Sequence, residues 1–494
     1  MMPPIPVLSD YGISETLGFL PAELPIQRLT DPYYEPWEVI AQNLQALILA
    51  KRIRQLCDAL PILGVEKLKR AGRAEEWRRA YVVLGYLTHS YIWGGEIPAQ
   101  RLPASISIPF QQVSEYLELP PIATYASTCL WNWRPIFPHD PIDDLTNIAT
   151  TLTFTGSLDE SWFYLVSVAI EAKGAAILPI MLHAIAAARK DDIKTVTACL
   201  NLFCERIEEV TDLMVRMDEN CDPYVFYHRI RPFLAGSKNM EEAGLPNGVL
   251  YEDASGHVEY TKFAGGSNAQ SSLIQAMDIL LDIKHRPTGI KKAADVAEAP
   301  TGEAPPRHNF LQEMQSYMPG PHRRFLQDLA KVANIHQFVD KHRNVEMLSS
   351  AYDSCLRAVR TFRDKHIEIV TRYIIIPAGK TRRKANITGG TAPGIALKTS
   401  PSNGHKAEGG LNSVKASSSS VLKGTGGTAL IPFLRQARDE TTENAIGNWV
   451  GKLVARRREE IVEEEKRVKE REGFVCGLAG MWYSEGGMGG LCSF

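Results

Sequence analysis

The chain has eight cysteines, Cys57, Cys129, Cys199, Cys204, Cys221, Cys355, Cys476 and Cys492, but no CxxC pair and no regular cysteine framework. That spacing fits neither a disulfide scaffold nor a zinc site, and it leads us to expect reduced thiols in a cytoplasmic compartment. There is no basic excess: 55 Lys and Arg against 57 Asp and Glu give a formal net charge of -2. Nothing in that balance favours a polyanion, so no nucleic-acid partner is expected. The start, "MMPPIPVLSDYGIS", has no positive n-region followed by an apolar h-region, and no secretory signal is expected. No uncharged apolar run reaches bilayer length. The longest apolar stretch, "LVSVAIEAKGAAILPIMLHAIAAA", is broken by Glu171, Lys173 and Pro179 and predicts a pair of buried core helices, with no membrane association. "GTGGT", Gly424 to Thr428, lacks the Lys-Ser/Thr of a phosphate loop, which argues against nucleotide binding. No internal repeat is visible.

What is present is a chain of 494 residues, 44% hydrophobic and 23% charged, too long for one compact core. The three- and four-residue apolar spacing predicts helices almost throughout, and hence an all-α fold. "WEVIAQNLQALILAKRIRQLCDAL" and "AEEWRRAYVVLGYLTHSYIWG" belong to a small helical domain over 38–145, preceded by an arm, 1–37. A Pro- and Trp-rich connection leads to a large helical domain over 146–447, built on segments such as "DDIKTVTACLNLFCERIEEVTDLMVRM" and "MLSSAYDSCLRAVRTFRDKHIEIVTRYIII". A Ser-, Gly- and Lys-rich stretch at about 379–423 is expected to be a flexible loop, because its composition cannot offset ordering entropy. A charged helix and a Gly-rich tail are expected over 448–494.

Within "TFRDKHIEIVTRYIIIPAG", Cys355, Val359, Phe362, His366, Ile369, Val370 and Tyr373 fall on one helix face, while the charged residues take the other. His366 therefore points inward. An imidazole there needs a hydrogen-bond partner or a metal, because leaving it unpaired costs roughly 1–3 kcal/mol. On periodicity alone a satisfied core histidine is the commoner outcome, and a ligand the rarer one. The other motifs are similarly two-sided. Phe163 and Ser167, one turn apart in "WFYLVS", read as core packing and a hydroxyl bonded back to its own helix; Arg231, beside an apolar run, reads by default as a surface arginine.

The segments "LELPPIATYA", "WFYLVSVAIEAKGAAILP", "RPFLAGSK", "LPNGVLYED", "FAGGSNAQSS", "YMPGPHRRFL", "YDSCLRAVRTFRDKHIEIVTRYIIIPA" and "GTGGTALIPFLRQARDETTENA" lie in one order from about Glu38 to Gly447. In that order they resemble the indoleamine 2,3-dioxygenase family, haem enzymes that open the indole ring of tryptophan. The resemblance implies a small helical domain packed on a large one that holds haem b. It implies His366 as the proximal ligand to the haem iron, with Asp278 as a carboxylate orienting that ligand. Phe163 and Ser167 would lie on the distal side, and Phe226, Arg231, Tyr125 and Thr128 would contact the substrate, Arg231 gripping its carboxylate. Gly266, Ser267, Asn268 and Arg363 would border the haem, the last with a propionate as its partner. Thr425 and Thr428 of "GTGGT" would close over the substrate. Ser237 stands where the family pattern leads one to expect Trp, and Asn268 where it leads one to expect a smaller residue. The implied activity is cleavage of the indole C2–C3 bond of L-tryptophan by O2 to N-formylkynurenine, in a monomer served by an electron donor that keeps the haem ferrous. The alternative is a haem oxygen-binding or low-activity paralogue of the same fold.

Overall fold

Ser157, Asp192 and Ser271 cap helix starts with their side chains, and apolar residues at helical spacing carry the helices on from there. The computed structural model of the protein describes residues 2–287, 310–381 and 430–446, with the backbone of two short strands, Phe474–Gly477 and Gly480–Tyr483. Met1–Asn444 forms one compact unit and Ala445–Phe494 another. The expected charged C-terminal helix, and most of the expected flexible loop, lie outside the described residues.

The fold is helical, as the apolar spacing predicts. Its long helices are α1 (Ala74–Trp93), α2 (Ala104–Leu117), α3 (Leu158–Gly174), α4 (Ile177–Arg189), α5 (Ile193–Val215), α6 (Ser272–Leu280), α7 (Gly320–Val332), α8 (Glu346–Val370) and α9 (Leu430–Glu440). Two small antiparallel hairpins interrupt them: β1 (Trp133–Pro135) with β2 (Ile148–Thr150), and β3 (Val249–Glu252) with β4 (Val258–Thr261). β3 is tied to the loop before α2, where Leu102 N–H donates to Leu250 C=O at 3.0 Å and Leu250 N–H to Gln100 C=O at 2.8 Å.

α1 is buried around most of its circumference and carries an ion pair into the core. Arg79 donates to both oxygens of Glu38, at 3.0 and 2.7 Å, and Glu38 also accepts the Leu29 N–H. At the start of α3, Ser157 accepts the Glu160 N–H, while the Glu160 carboxylate turns back to accept the N–H groups of Phe154 and Thr155. That reciprocal capping satisfies donors a helix start would otherwise leave unpaired. α3 and α4 together, Leu158–Arg189, are long and apolar enough to cross a membrane, but 61% of the most apolar window is buried inside the protein, as core helices are. Asp192 caps α5 through the Thr195 N–H, and its stripe of Val196, Leu200, Phe203, Ile207 and Val210 is fully buried.

α8 packs along α5 and meets α9 near its far end. Its inner face is the one expected from spacing: Cys355, Val359, Phe362, Val370 and Tyr373 are buried, and His366 and Ile369 lie between them at the edge of a cavity. The six described cysteines are all free thiols.

Candidate functional site

A cavity of about 250 Å³ lies between α3, α6, α8 and α9 and the short helical segments around residues 126–130, 226–234 and 266–271. Three π-helical turns contribute to its wall: Ala126–Leu130 presents Thr128 and Cys129, Phe226–Ile230 presents Phe226, and Thr371–Ile375 presents Tyr373 and Ile374. A π turn inserts one extra residue and rotates the side chains after it, a device that recurs at functional sites. The wall is mainly apolar and aromatic. Phe163 and Phe226 meet at 4.9 Å between ring centroids, and Phe226 sits edge-on to Tyr373 at 5.7 Å.

His366 faces this cavity from α8. Its open surface is cavity wall rather than bulk solvent. Burial first, and then the Arg363 charge, hold its pKa down to about 4, so the ring is neutral at ordinary pH. Among the described residues no hydrogen-bond partner reaches it. A neutral imidazole aimed into an apolar cavity without a partner is what a metal ligand looks like before it meets its metal. Among the described residues no group of three or more His, Cys, Asp or Glu is arranged to hold a metal ion. A lone imidazole therefore suits a metal that brings its other donors with it, as an iron porphyrin does.

Asp278 makes no hydrogen bond to His366. Both of its oxygens are engaged, but not by His366: Arg363 donates to one, and His285 Nε2 lies 3.1 Å from the other. His285 Nδ1 lies 2.8 Å from Glu440 of α9, so both ring nitrogens face carboxylates, which favours the charged ring. Burial works against that charge, but Asp278 and Glu440 outweigh it and raise the His285 pKa. Burial likewise works against ionised Asp278, and Arg363 and His285 outweigh it and lower its pKa. Asp278 bears on His366 only through Arg363, one turn earlier on α8. Arg363 also donates to the Ala437 C=O at 3.1 Å and to the Thr441 hydroxyl, which joins α8 to α9. It lines the cavity while held by these protein partners, so a propionate would be an additional partner for it and not its sole one.

Phe163 and Ser167 line the cavity from α3, and Tyr125, Thr128, Phe226 and Arg231 are also in its wall. The Arg231 guanidinium lies over the Tyr227 ring at 5.5 Å, and burial lowers its pKa. An arginine stays charged even so, and a positive group inside an apolar wall suits an anionic ligand group. Tyr125 is fixed at both ends: its N–H donates to Gln270 Oε1 at 2.8 Å and its hydroxyl to Glu171 at 3.0 Å.

Gly266, Ser267 and Asn268 line the cavity, with the Ser267 hydroxyl accepting the Ala269 N–H. Gly265 does not. A Cβ there would overlap the Leu234 carbonyl and the Gly236 amide, so its small size serves a backbone crossing between two loops rather than a ligand. Ser237 is buried at that crossing, donating to the Thr261 C=O and accepting the Phe263 N–H. Thr425 and Thr428 lie outside the described residues. Sequence reasoning passed over Leu430, Phe433, Leu434 and Ala437 of α9, which line the cavity, and Glu171, which stands behind it. The 430/433/434/437 spacing was the available signal for the first group.

With the geometry in place, comparison with known proteins is informative. The sequence profile described as indoleamine 2,3-dioxygenase matches residues 7–444. The indoleamine 2,3-dioxygenase of Saccharomyces cerevisiae is 41% identical over 452 residues, 90% of this chain and 95% of the yeast protein. Indoleamine 2,3-dioxygenase nanC of Aspergillus nanangensis is 41% identical over 451 residues, 89% of this chain and 98% of its own. The 6-hydroxytryptophan 2,3-dioxygenase fscD of Fusarium equiseti is 36% identical over 437 residues, 88% of this chain and 97% of its own.

Proposed function

Since the chain belongs to the indoleamine 2,3-dioxygenase family, we propose that it is a haem-dependent dioxygenase that cleaves the indole C2–C3 bond of L-tryptophan with O2 to give N-formylkynurenine. The observation that carries this reading is the neutral imidazole of His366, facing an aromatic cavity with no partner among the described residues. In this reading His366 holds the iron, and the haem, when bound, supplies the activation of oxygen that no side chain here can provide.

The chain's own residues would bind and orient. Phe163 and Phe226, already in contact, offer a slot for a flat indole. Arg231 provides a fork of donors for the amino-acid carboxylate. The apolar wall keeps water away from the reacting carbons. Ser167 and Thr128 are too weakly basic to remove a proton, which suits a reaction in which both oxygen atoms of O2 enter the product and no side chain serves as strong base. The cytoplasm and a cellular electron donor are part of the proposal. Because one relative is named for 6-hydroxytryptophan, tryptophan bearing a ring substituent belongs in the same substrate series.

The test is direct. The reduced, haem-loaded protein is mixed with L-tryptophan and oxygen, and N-formylkynurenine is followed by its absorbance. Product formation at catalytic turnover is expected; a normal oxygen-bound spectrum with no product over hours would overturn the reading in favour of an oxygen-binding paralogue.

A further inference from the structure

Behind the cavity wall, one turn after Ser167 on α3, Glu171 is 1% exposed. Its Oε1 accepts two hydrogen bonds, from the Tyr125 hydroxyl at 3.0 Å and the Ser271 hydroxyl at 2.6 Å. Among the described residues its Oε2 has no partner. Ser271 spends its other capacity accepting the Ile274 N–H at the start of α6. One carboxylate thus joins three pieces of the cavity wall: α3, the segment beginning at Tyr125, and the loop ending at Ser271. Ser167, one turn before Glu171 on α3, and Tyr125 line the same cavity.

We propose that Glu171 is a positioning residue that sets the direction of the hydrogen-bond chain Ser271–Glu171–Tyr125, and with it whether the Tyr125 hydroxyl offers the cavity an acceptor or a donor. This inference rests on the reading of the cavity as the site of a tryptophan dioxygenase. An ionised carboxylate only accepts, so Tyr125 must donate to it and leave its lone pairs to the cavity. A protonated carboxyl places its hydrogen where an acceptor exists. Oε2 has none, whereas a hydrogen on Oε1 can be given to the Tyr125 oxygen while Ser271 still donates to Oε1. Tyr125 then turns its own hydrogen toward the cavity, and the chain reverses.

Both states are within reach near neutrality, because burial lifts the Glu171 pKa to about 7 against the pull of its two donors. The titratable groups facing it are Tyr125 and Cys129 on the adjoining segment, both pushed up by burial and therefore neutral over this range. From the loop and the start of α6 it faces Ser271, which does not titrate there, and on its own helix the nearby Lys173 is paired with Asp143.

The full-length chain tests this by infrared difference spectroscopy between about pH 5 and about pH 9, a window bracketing the ordinary and the raised carboxyl values. A protonated-carboxyl carbonyl band titrating near 7 is expected, absent in Glu171→Gln. Tyr125→Phe, which removes one donor from the carboxylate, should move the midpoint up by about 1 pH unit, the size of one modest hydrogen bond. In haem-loaded protein the pH profile of kcat/KM for L-tryptophan should step at the same midpoint and lose that step in Glu171→Gln. No titrating band, an unmoved midpoint in Tyr125→Phe, or a step that persists in Glu171→Gln overturns the inference. Should Glu171→Gln fail to fold, the Tyr125→Phe midpoint decides alone. A wild-type chain that shows the titration and its Tyr125→Phe shift but makes no product supports the inference about Glu171 and defeats only the dioxygenase reading.

Discussion

Arg363 is bound to Asp278 rather than turned freely into the cavity, although it lies one helical turn before His366 and on the cavity side of α8. Both partners are largely enclosed, with side chains 11% and 7% exposed. Removing one partner of such a pair leaves the other charge buried without compensation, at a cost of about 3–5 kcal/mol. Asp278→Ala strands both Arg363 and His285. We expect chemical denaturation to show a loss of that order, and a loss below 1 kcal/mol would mean that the pair is solvated in solution.

The same cluster makes stability depend on pH from both sides. His285 has a raised pKa in the fold, so its contribution is complete below the ordinary histidine value of about 6.5 and is lost as pH rises through the folded value. Asp278 has a lowered pKa, so its contribution is complete above the ordinary carboxyl value of about 3.9 and is lost as pH falls through the folded one. Melting temperature against pH should therefore decline as pH rises from about 6.5, and His285→Gln should flatten that decline. A wild-type curve with no such decline would contradict the network as described.

Legibility differs sharply between this cluster and the helix that carries it. The inward face of α8, including His366, follows from a three- and four-residue spacing, because helix geometry is local. The partners of Asp278 do not: His285 is seven residues away and Arg363 eighty-five, and only the packing of α6 against α8 and α9 decides which charge meets which. The π turns were equally silent, since an extra residue in a turn leaves no compositional mark, yet they set which of Thr128, Cys129, Phe226 and Tyr373 face the cavity. Gly265 marks a different limit. Glycine does signal close backbone approach, but the sequence cannot say whether the approaching group is a ligand or, as here, the backbone near Gly236.

Far from the cavity, Glu38 and Arg79 form a two-pronged contact at 3% exposure or less, and Glu38 additionally holds the Leu29 N–H. Glu38→Ala leaves a buried guanidinium and an orphaned amide together. A loss of about 3–5 kcal/mol is expected in denaturant titration, large enough to lower the yield of folded chain. Replacing Arg79 by Met should cost a similar amount, and the double substitution less than the sum, since each single change removes the same interaction.

His366→Ala separates ligand from structure. With no hydrogen-bond partner among the described residues, the imidazole contributes little that the fold would miss, so the far-ultraviolet circular dichroism should be unchanged. Haem uptake, read from the Soret band, should fall to background if the iron is held there. Full uptake with an unaltered band would remove His366 from the proposal.

Arg231 separates binding from chemistry. Its guanidinium is enclosed by the cavity wall and lies over Tyr227, so Arg231→Ala removes a charged donor without opening the core to solvent. If it holds the substrate carboxylate in both the ground state and the transition state, the loss is uniform: KM for L-tryptophan rises while kcat changes little. A charged hydrogen bond is worth about 1.5–3 kcal/mol, which corresponds to a rise of roughly ten- to a hundredfold. Arg231→Lys restores the charge but not the planar pair of donors, and should recover only part of the affinity. Indole lacks a carboxylate, so its binding should be nearly insensitive to both changes. An equal loss for indole and tryptophan would show that Arg231 shapes the wall rather than grips the substrate.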